Sequence, residues 1–259
     1  MPMDNPRTTH VKDYYAKRDT VRDYDKKRFT GRGGRYIDYT EQKIISDLID
    51  ALPTTIRSAK RLEKRPLVLD LASGSGRFAI LLAKKGCKVV AFDYSQEMLN
   101  LIGEKCRREG LNVGEDIILV QGDANRFPFK PETFDAAVSM RFMWHYKKYP
   151  IFIDNVMKVL KKNGYFVFDL FNLYSLRALY TLPANLSVYV NLATRKKFYE
   201  FAEKRSYKIE AEKAHFFFPY LFYRFCPDFL AGIMIWTEEK IQKSALYIFS
   251  SVIYFKLRK

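Results

Sequence analysis

Residues 66–172 alternate between two patterns of apolar and polar positions. Apolar runs of the length of buried strands lie at residues 67–72, 88–93, 116–123, 134–140 and 165–171. Three other segments, 76–86, 95–110 and 149–164, place apolar residues at helical spacing and end in a glycine suited to a helix C-terminus. Buried strands that alternate with helices predict an α/β fold with a doubly wound, mostly parallel sheet of seven strands.

The N-terminal flank of this core has a weaker pattern. Residues 1–30 are polar and charged, and the glycine-rich run at residues 31–35 predicts a flexible break. From residue 39 to residue 52 apolar residues recur at a helical period, and Pro53 ends the run. We therefore predict that residues 1–65 form a helical cap on a core of residues 66–172.

The C-terminal flank, residues 173–259, predicts the completion of the sheet with two insertions. Residues 173–193 lack a clear period, residues 194–205 are predicted as a helix, and residues 207–217 as a strand. Residues 216–247 are aromatic and mostly helical in pattern, and residues 250–259 form a terminal strand candidate. We expect that strand to insert beside its predecessor, the segments 173–193 and 216–247 to form lids over a site, and the whole chain to be one structural domain.

The charge of the chain is strongly positive, with 45 basic and 29 acidic residues and a net charge of +16. Most of this excess lies outside the core. It favours anionic partners such as nucleic acid, anionic lipid or phosphorylated substrates, although a basic solvated surface is an equal interpretation.

Cysteine usage and hydropathy bear on the compartment. The three cysteines are far apart in the sequence, which indicates neither a disulfide framework nor a zinc site and fits a reducing cytosol. The first residues lack the apolar centre of a signal peptide. The apolar run at residues 215–236 is interrupted by two prolines and two charges, which argues against a membrane-spanning helix. We expect a cytoplasmic protein without a bound metal.

The turn after the first strand, in the run LVLDLASGSGRFA at residues 67–79, carries the first candidate chemistry. Its G-x-G-x-x-A pattern is typical of turns that bind a dinucleotide pyrophosphate. Asp70 precedes the first glycine of that pattern, Gly74, and would oppose a pyrophosphate by about 4 kcal/mol at about 4 Å and an effective dielectric of about 20. The same carboxylate favours a cationic ligand, such as the ammonium and sulfonium of S-adenosylmethionine (SAM).

Three motifs in family order give residues 66–172 a resemblance to class I SAM-dependent methyltransferases. Asp70 to Gly76 is similar to the family's E/D-x-G-x-G-x-G turn, with Ala72 in place of the first glycine. Asp93 ends the second strand, and QGDANRFPF at residues 121–129 is similar to the family's G-D-A-x-x-L-P-F signature. The chain resembles the UbiE-like, type 11 small-molecule group, which implies a Rossmann-like methyltransferase fold, SAM as cofactor and S-adenosylhomocysteine as product.

The resemblance implies a set of cofactor-binding residues. The methionine part of SAM is expected against Ala72, Ser73, Gly74 and Gly76, with Asp70 near its ammonium. Asp93 is expected to accept the ribose hydroxyls, or else to cap the next helix. The adenine is expected near Tyr94, Met98, Asp123 and Ala124, although Met98 can instead belong to the core and Asp123 to an Asx turn.

The segment after the fourth strand, residues 140–146, is expected to face the methyl group and begins at Met140. His145 is the candidate general base, because its ordinary pKa lies near neutrality, or it makes a packing hydrogen bond. Arg141 is expected to bind an acidic acceptor or to form a salt bridge with the N-terminal helix. Tyr24 is expected to form a wall of the site, and Arg35 to contact a carboxylate.

Aromatic faces favour cations, so Tyr24, Trp144 and Tyr146 are also candidates for positions around the sulfonium.

The acceptor is expected to be small and lipid-like, because the predicted lid at residues 216–247 is apolar and aromatic. Quinones, polyprenyl compounds and lipids fit this description, and the nearby basic residues allow peripheral contact with an anionic membrane. The aromatic residues can instead simply cover the sheet. The net charge keeps an RNA or protein methyltransferase open, although SMRF stands where base-modifying enzymes carry an N-P-P-Y-like tetrad. A non-catalytic SAM-binding subunit is a third interpretation.

Overall fold

In a computed structural model of the chain, the described residues are 21, 23–50, 65–181 and 191–259. The strands of this part are β1 (Leu67–Leu71), β2 (Lys88–Asp93), β3 (Ile117–Gln121), β4 (Phe134–Ser139), β5 (Leu160–Asn172), β6 (Leu192–Ala193), β7 (Lys208–His215) and β8 (Val252–Arg258). The α-helices are α1 (Tyr24–Phe29), α2 (Gly31–Asp50), α3 (Arg77–Lys84), α4 (Gln96–Glu109), α5 (Tyr149–Val159), α6 (Leu176–Thr181), α7 (Arg195–Lys204), α8 (Tyr220–Phe225) and α9 (Asp228–Gln242). Two short 3-10 helices span Met143–His145 and Ala245–Phe249.

The strands form one sheet in the order β3-β2-β1-β4-β5-β8-β7, with β6 beside β5. Strands β1 to β5 pair in parallel, whereas β8 runs antiparallel to both of its neighbours. The prediction of a mostly parallel, doubly wound sheet is confirmed, and so is the insertion of the terminal strand. The strand order reverses on either side of β1, which is where α/β folds of this type bind ligands.

Apolar side chains bury both faces of the sheet. On β5, Tyr165, Val167 and Phe171 join the cluster that contains α2, α3 and α4. Their neighbours Phe166 and Phe168 join the opposite cluster, which contains α5 and α7. This alternation is what a strand imposes when helices cover both of its faces, and it explains why β5 shows no polar face in the sequence.

The predicted flexible break at residues 31–35 is wrong, because these residues form the first turns of α2. The glycines there serve close packing: a Cβ on Gly33 would lie 1.8 Å from the carbonyl oxygen of Tyr223. A Cβ on Gly34 would lie 2.8 Å from the carbonyl carbon of Phe29. A glycine-rich run thus marks the contact of α2 with α8 and α1 instead of a hinge.

The helix predicted at residues 149–164 is shorter than expected. It ends at Val159, and β5 begins at the next residue, where Leu160 pairs with Phe134. Leu160 is fully buried, so pairing within the sheet outweighs the helical pattern of the sequence at this point.

Some expectations fall outside the described residues. They concern residues 1–20, residues 182–190 of the insertion at 173–193, and the helix end at Pro53. The boundaries predicted for the cap, the core and the completing segment stay predictions. In the part of the chain that the structure describes, no helix has the length and apolar character needed to cross a membrane.

Candidate functional site

A cleft lies at the carboxyl ends of β1, β2 and β4, where the strand order reverses. It contains about 1030 Å³ of empty space, including open solvent at its mouth. The structure brings most of the predicted site residues together in its walls: Tyr24, Asp70, Ala72, Ser73, Gly74, Asp93, Tyr94, Met98, Asp123, Ala124, Met140 and His145. Gly76 and Arg35 are not among the lining residues; Arg35 lies exposed on α2.

The glycine-rich turn is fixed by backbone hydrogen bonds to β2. The N–H of Ala72 donates to the carbonyl oxygen of Phe92 at 2.8 Å. Ala72 adopts a left-handed φ of 58°, so it takes the conformation that favours glycine despite its side chain. Gly76 has a φ of 78°, and a Cβ on it would lie 2.6 Å from Cγ1 of Ile102. Gly76 therefore lets α4 pack against the turn.

Asp70 is a buried carboxylate with an unused oxygen. The residue is 1% exposed, and its Oδ2 has no hydrogen-bond partner among the described residues. Burial, together with the nearby charge of Asp93, raises the pKa of Asp70 to about 7. A buried acceptor without a donor is costly, so this position fits a ligand that brings a cationic donor. The ammonium of SAM is such a group.

Asp93 connects β2 to the turn and to the next helix. Its Oδ2 accepts the N–H of Gly74 at 2.8 Å, and its Oδ1 accepts the N–H of Ser95 at 2.9 Å. Burial raises the pKa of Asp93, although these N–H groups oppose the shift. The side chain of Ser95, and not that of Asp93, caps α4, since the Ser95 hydroxyl accepts the N–H of Met98 at 3.2 Å; the contact of Asp93 with a ribose stays a prediction. Met98 is both buried and part of the cleft wall.

The segment after β3 forms a tight turn at the cleft. Oδ1 of Asp123 accepts the backbone N–H of Asn125 at 2.9 Å, so the Asx turn is also present. A Cβ on Gly122 would lie 2.4 Å from Cε2 of Phe92, which explains the glycine of this motif. Asp123 and Ala124 line the cleft, and their contacts with an adenine stay predictions.

His145 lies in the 3-10 helix after β4 and is 6% exposed. The indole N–H of Trp144 donates to its Nε2 at 3.1 Å. Because an indole nitrogen only donates, this bond requires Nε2 to be unprotonated. The packing hydrogen bond is therefore present, and a base acting at Nε2 would first have to lose it. The role as a base stays a prediction.

A buried ion cluster that joins two cleft-lining arginines to an acid of α2 was not predicted as a unit. Arg141 donates from Nη2 to Oε1 of Glu41 at 2.7 Å, and Arg77 donates from Nη1 to Oε2 of the same carboxylate at 3.0 Å. Burial would raise the pKa of Glu41, but the two guanidinium groups outweigh it and lower that pKa. Of the two roles expected for Arg141, the structure shows the salt bridge with the N-terminal helix.

A second ionic contact joins α1 to the glycine-rich turn. Asp25 accepts the hydroxyl of Ser75 at 2.6 Å and forms an ion pair with Lys105 of α4. Lys105 also donates to the carbonyl oxygen of Ser75 at 2.7 Å. These contacts position Tyr24, the neighbour of Asp25, at the cleft wall.

The sequence did contain a signal for Glu41. Ile37, Glu41, Ile44, Ile45 and Leu48 recur at helical spacing on α2, and all are buried. An acid within an apolar stripe indicates a buried partner of opposite charge. No comparable signal exists for Asp25, because α1 is short and polar.

Comparison with known proteins gives a consistent result for the core. Residues 69–168 match a family model described as a methyltransferase domain. Demethylmenaquinone methyltransferase of Lactobacillus johnsonii is 32% identical over 99 residues, which cover 37% of this chain and 40% of that protein. Fatty-acid O-methyltransferase of Mycolicibacterium smegmatis is 30% identical over 103 residues, which cover 39% of this chain and 35% of that protein.

Among solved structures, the fold is similar to magnesium protoporphyrin IX methyltransferase from Synechocystis PCC 6803 with bound S-adenosylhomocysteine. The TM-score is 0.65 at 12% identity, and the match covers 98% of this chain and 99% of that one. The resemblance to class I SAM-dependent methyltransferases is thus confirmed, and SAM is the cofactor of the family. The chain spans about two fifths of the length of the curated relatives it matches.

Proposed function

We propose that this chain, whose core is a methyltransferase domain, transfers a methyl group from SAM to a small lipophilic acceptor. The observation that carries the proposal is the Asp70 carboxylate, buried in the cleft wall with one oxygen unpartnered among the described residues. A pyrophosphate would be repelled there, whereas a cationic donor would complete the hydrogen bonding.

Three acids divide the cleft into the regions that such a cofactor needs. Asp70 lies at the glycine-rich turn, Asp93 at the end of β2 and Asp123 after β3, and all three line the cleft. We assign them to the ammonium, the ribose hydroxyls and the adenine amino group in that order. The Ala124 N–H is assigned to an adenine ring nitrogen.

The protein's own contribution to the reaction is mainly position and exclusion of water. When bound, SAM supplies a methyl group that its sulfonium has already activated. Alignment of an acceptor with such a group supplies up to about 7–11 kcal/mol. Two buried aromatic residues of the cleft wall, Phe142 and Tyr146, help to keep water from the site. His145 is assigned to the acceptor's proton where the acceptor has one to lose.

The acceptor class is inferred from the character of the walls and from the relatives. Met140, Phe142 and Tyr146 contribute apolar surface to the cleft wall that also contains the three acids. Two relatives are named for a quinone and for a fatty acid. We therefore assign the acceptor to the quinone, polyprenyl or lipid class.

Calorimetry of SAM binding tests the cofactor assignment. We expect Asp93→Ala and Asp123→Ala to weaken binding by about tenfold to hundredfold each, because each removes charged hydrogen bonds worth about 1.5–3 kcal/mol. Glu115→Ala, which removes an exposed acid outside the cleft, is the matched control and should bind like the wild type. Thermal melting of each variant identifies any loss caused by unfolding. A wild type that binds NAD and ignores SAM would contradict the proposal.

Turnover with a panel of acceptors tests the proposed acceptor class. Wild-type protein with SAM is offered quinones, lipid extracts and RNA, and S-adenosylhomocysteine formation is measured. We expect product with quinones or lipids. The basic charge favours RNA as the second candidate, which would instead give RNA methylation and salt-sensitive RNA binding. SAM binding without turnover on any acceptor would favour a non-catalytic subunit.

A further inference from the structure

Helix α9 exposes large apolar side chains along one side. Phe229 is 78% exposed, Ile233 62% and Trp236 60%. Their spacing of four and three residues places them on one face of the helix, with Leu230 beside them. We refer to these four residues as the α9 outer face.

The opposite side of α9 is fixed to the body of the protein by a buried acid. Glu238 is fully buried, and its carboxylate accepts the hydroxyl of Tyr223 at 2.5 Å, the N–H of Phe217 at 3.0 Å and the side-chain amide of Gln242 at 2.8 Å. A surface helix normally buries its apolar side. Here the inward contacts of Glu238 fix an orientation that leaves Phe229 and Trp236 outside.

The apolar exposure is concentrated in this part of the molecule. Among the described residues, 17 large apolar side chains are exposed, and 10 of them lie between residues 222 and 249. The other seven are scattered between residues 39 and 199. Single exposed apolar residues are ordinary, whereas a concentration of them indicates a binding surface.

Positive charge borders the α9 outer face. Nζ of Lys240 lies 5.5 Å from the centre of the Trp236 ring, and Lys243 is exposed one turn further on. Nη2 of Arg32 lies 3.7 Å from the position of a Cβ on Gly232, so three basic side chains adjoin this face, against one exposed acid among the described side chains, Glu239. Aromatic and aliphatic side chains beside lysine and arginine are the combination that favours the interface of an anionic membrane.

We propose that the α9 outer face docks on an anionic lipid bilayer. Charge separates this partner from a second copy of the chain: the net charge is +16, so two copies meeting here would bring like charges together. A bilayer with anionic headgroups neutralises the same charges while the apolar side chains leave water. The proposal concerns a surface away from the three acids of the cleft, so it does not depend on the proposed reaction.

Vesicle co-sedimentation of the full chain tests the proposal. We expect binding to vesicles made of equal parts phosphatidylcholine and phosphatidylglycerol, weaker binding to phosphatidylcholine alone, and a decrease with added salt. The triple variant Phe229→Ser, Ile233→Ser, Trp236→Ser should lose at least about 100-fold in partitioning, because the burial of three large side chains is removed. The three side chains are exposed, so the variant should fold.

The matched control removes three apolar side chains that are exposed elsewhere. Ile151→Ser, Val113→Ser, Tyr174→Ser should sediment with vesicles like the wild type. Equal loss in both triple variants, or no vesicle binding by the wild type, would overturn the proposal. So would a concentration-dependent dimer in lipid-free sedimentation velocity that the α9 variant disperses. SAM binding, measured by calorimetry in the same samples, should be unchanged and reports separately on the proposed function.

Discussion

Two buried carboxylates beside the same cleft differ in their hydrogen-bond partners and in the direction in which their pKa values are shifted. Glu41, behind the wall, is paired with Arg77 and Arg141, and its pKa is lowered. Asp70, in the wall, keeps one oxygen without a partner among the described residues, and its pKa is raised to about 7. The first arrangement is complete within the chain, whereas the second is completed by a cationic ligand.

This contrast distinguishes a residue that holds the site together, Glu41, from a residue whose hydrogen bonding a ligand would complete, Asp70. Glu41 joins α2 to Arg77, the first residue of α3, and to Arg141 after β4, so it determines the positions of two residues of the cleft wall. Asp70 contributes no comparable contact and opposes folding when it is charged. Substitution of Glu41 should therefore change mainly the free energy of unfolding, and substitution of Asp70 mainly the affinity for SAM.

Glu41→Ala should have the largest effect of these substitutions, a loss of stability. It leaves two guanidinium groups partly buried without their shared acceptor, and loss of one partner of a buried ion pair costs about 3–5 kcal/mol. Urea denaturation measures the change. Glu109→Ala, which breaks the exposed pair with Lys84, is the control and should leave the midpoint near the wild-type value. If Glu41→Ala shifted the urea midpoint as little as Glu109→Ala does, the distinction between Glu41 and Asp70 would not hold.

Asp70→Asn should weaken SAM binding by about tenfold to hundredfold, since it removes a charged hydrogen bond worth about 1.5–3 kcal/mol. It should also raise the melting temperature of the ligand-free protein, most above pH 7, where the native carboxylate is charged, less at pH 5, and not below the ordinary pKa of 3.8, where the carboxyl is protonated in both states. Asp169→Asn is a matched control, because Asp169 is equally buried, has a pKa of about 7 and has an unpartnered Oδ2 in the described part, but lies outside the cleft wall. It should reproduce the stability effect while SAM binding stays within about threefold.

The pH dependence of SAM binding should follow Asp70. In the ligand-free protein this carboxyl is protonated below about pH 7, and it must lose its proton to bind an ammonium. Affinity should therefore fall as pH decreases below about 7, by at most about tenfold per pH unit, and level off above it. Asp169→Asn should keep this profile. If Asp70→Asn kept the same pH profile, the titration that controls SAM affinity would have to be assigned to Asp93, whose pKa is also raised.

The same raised pKa values have the opposite effect on the stability of the ligand-free protein. Asp70 and Asp169 bind protons more strongly when folded, so their contribution is present at low pH and is lost as pH rises through about 7. Stability and affinity thus change in opposite directions across this range.

The fold was predictable because periodicity is a local property of the sequence. The same holds for the three acids at strand ends, since parallel strands bring their carboxyl ends to one edge. The partners of Arg77 and Arg141 were not predictable as a set, because they depend on where α2 lies against the sheet. The glycines at residues 31–35 misled the prediction for a related reason: Gly33 accommodates Tyr223, which is far away in the sequence.

Ala72→Gly should have the smallest effect on stability, and it tests whether the glycine-rich turn stores backbone strain. Ala72 has a φ of 58°, which costs an alanine about 1–2 kcal/mol, and the greater freedom of glycine in the unfolded chain returns about 0.4–1 kcal/mol of that. A net gain between zero and about 1.6 kcal/mol in urea denaturation is expected. Ser206→Gly, at a φ of 57° outside the cleft wall, should gain a similar amount. SAM affinity should stay within about threefold in both, because the Ala72 N–H still donates to Phe92. A loss of affinity in Ala72→Gly alone would mean that the methyl group itself shapes the site.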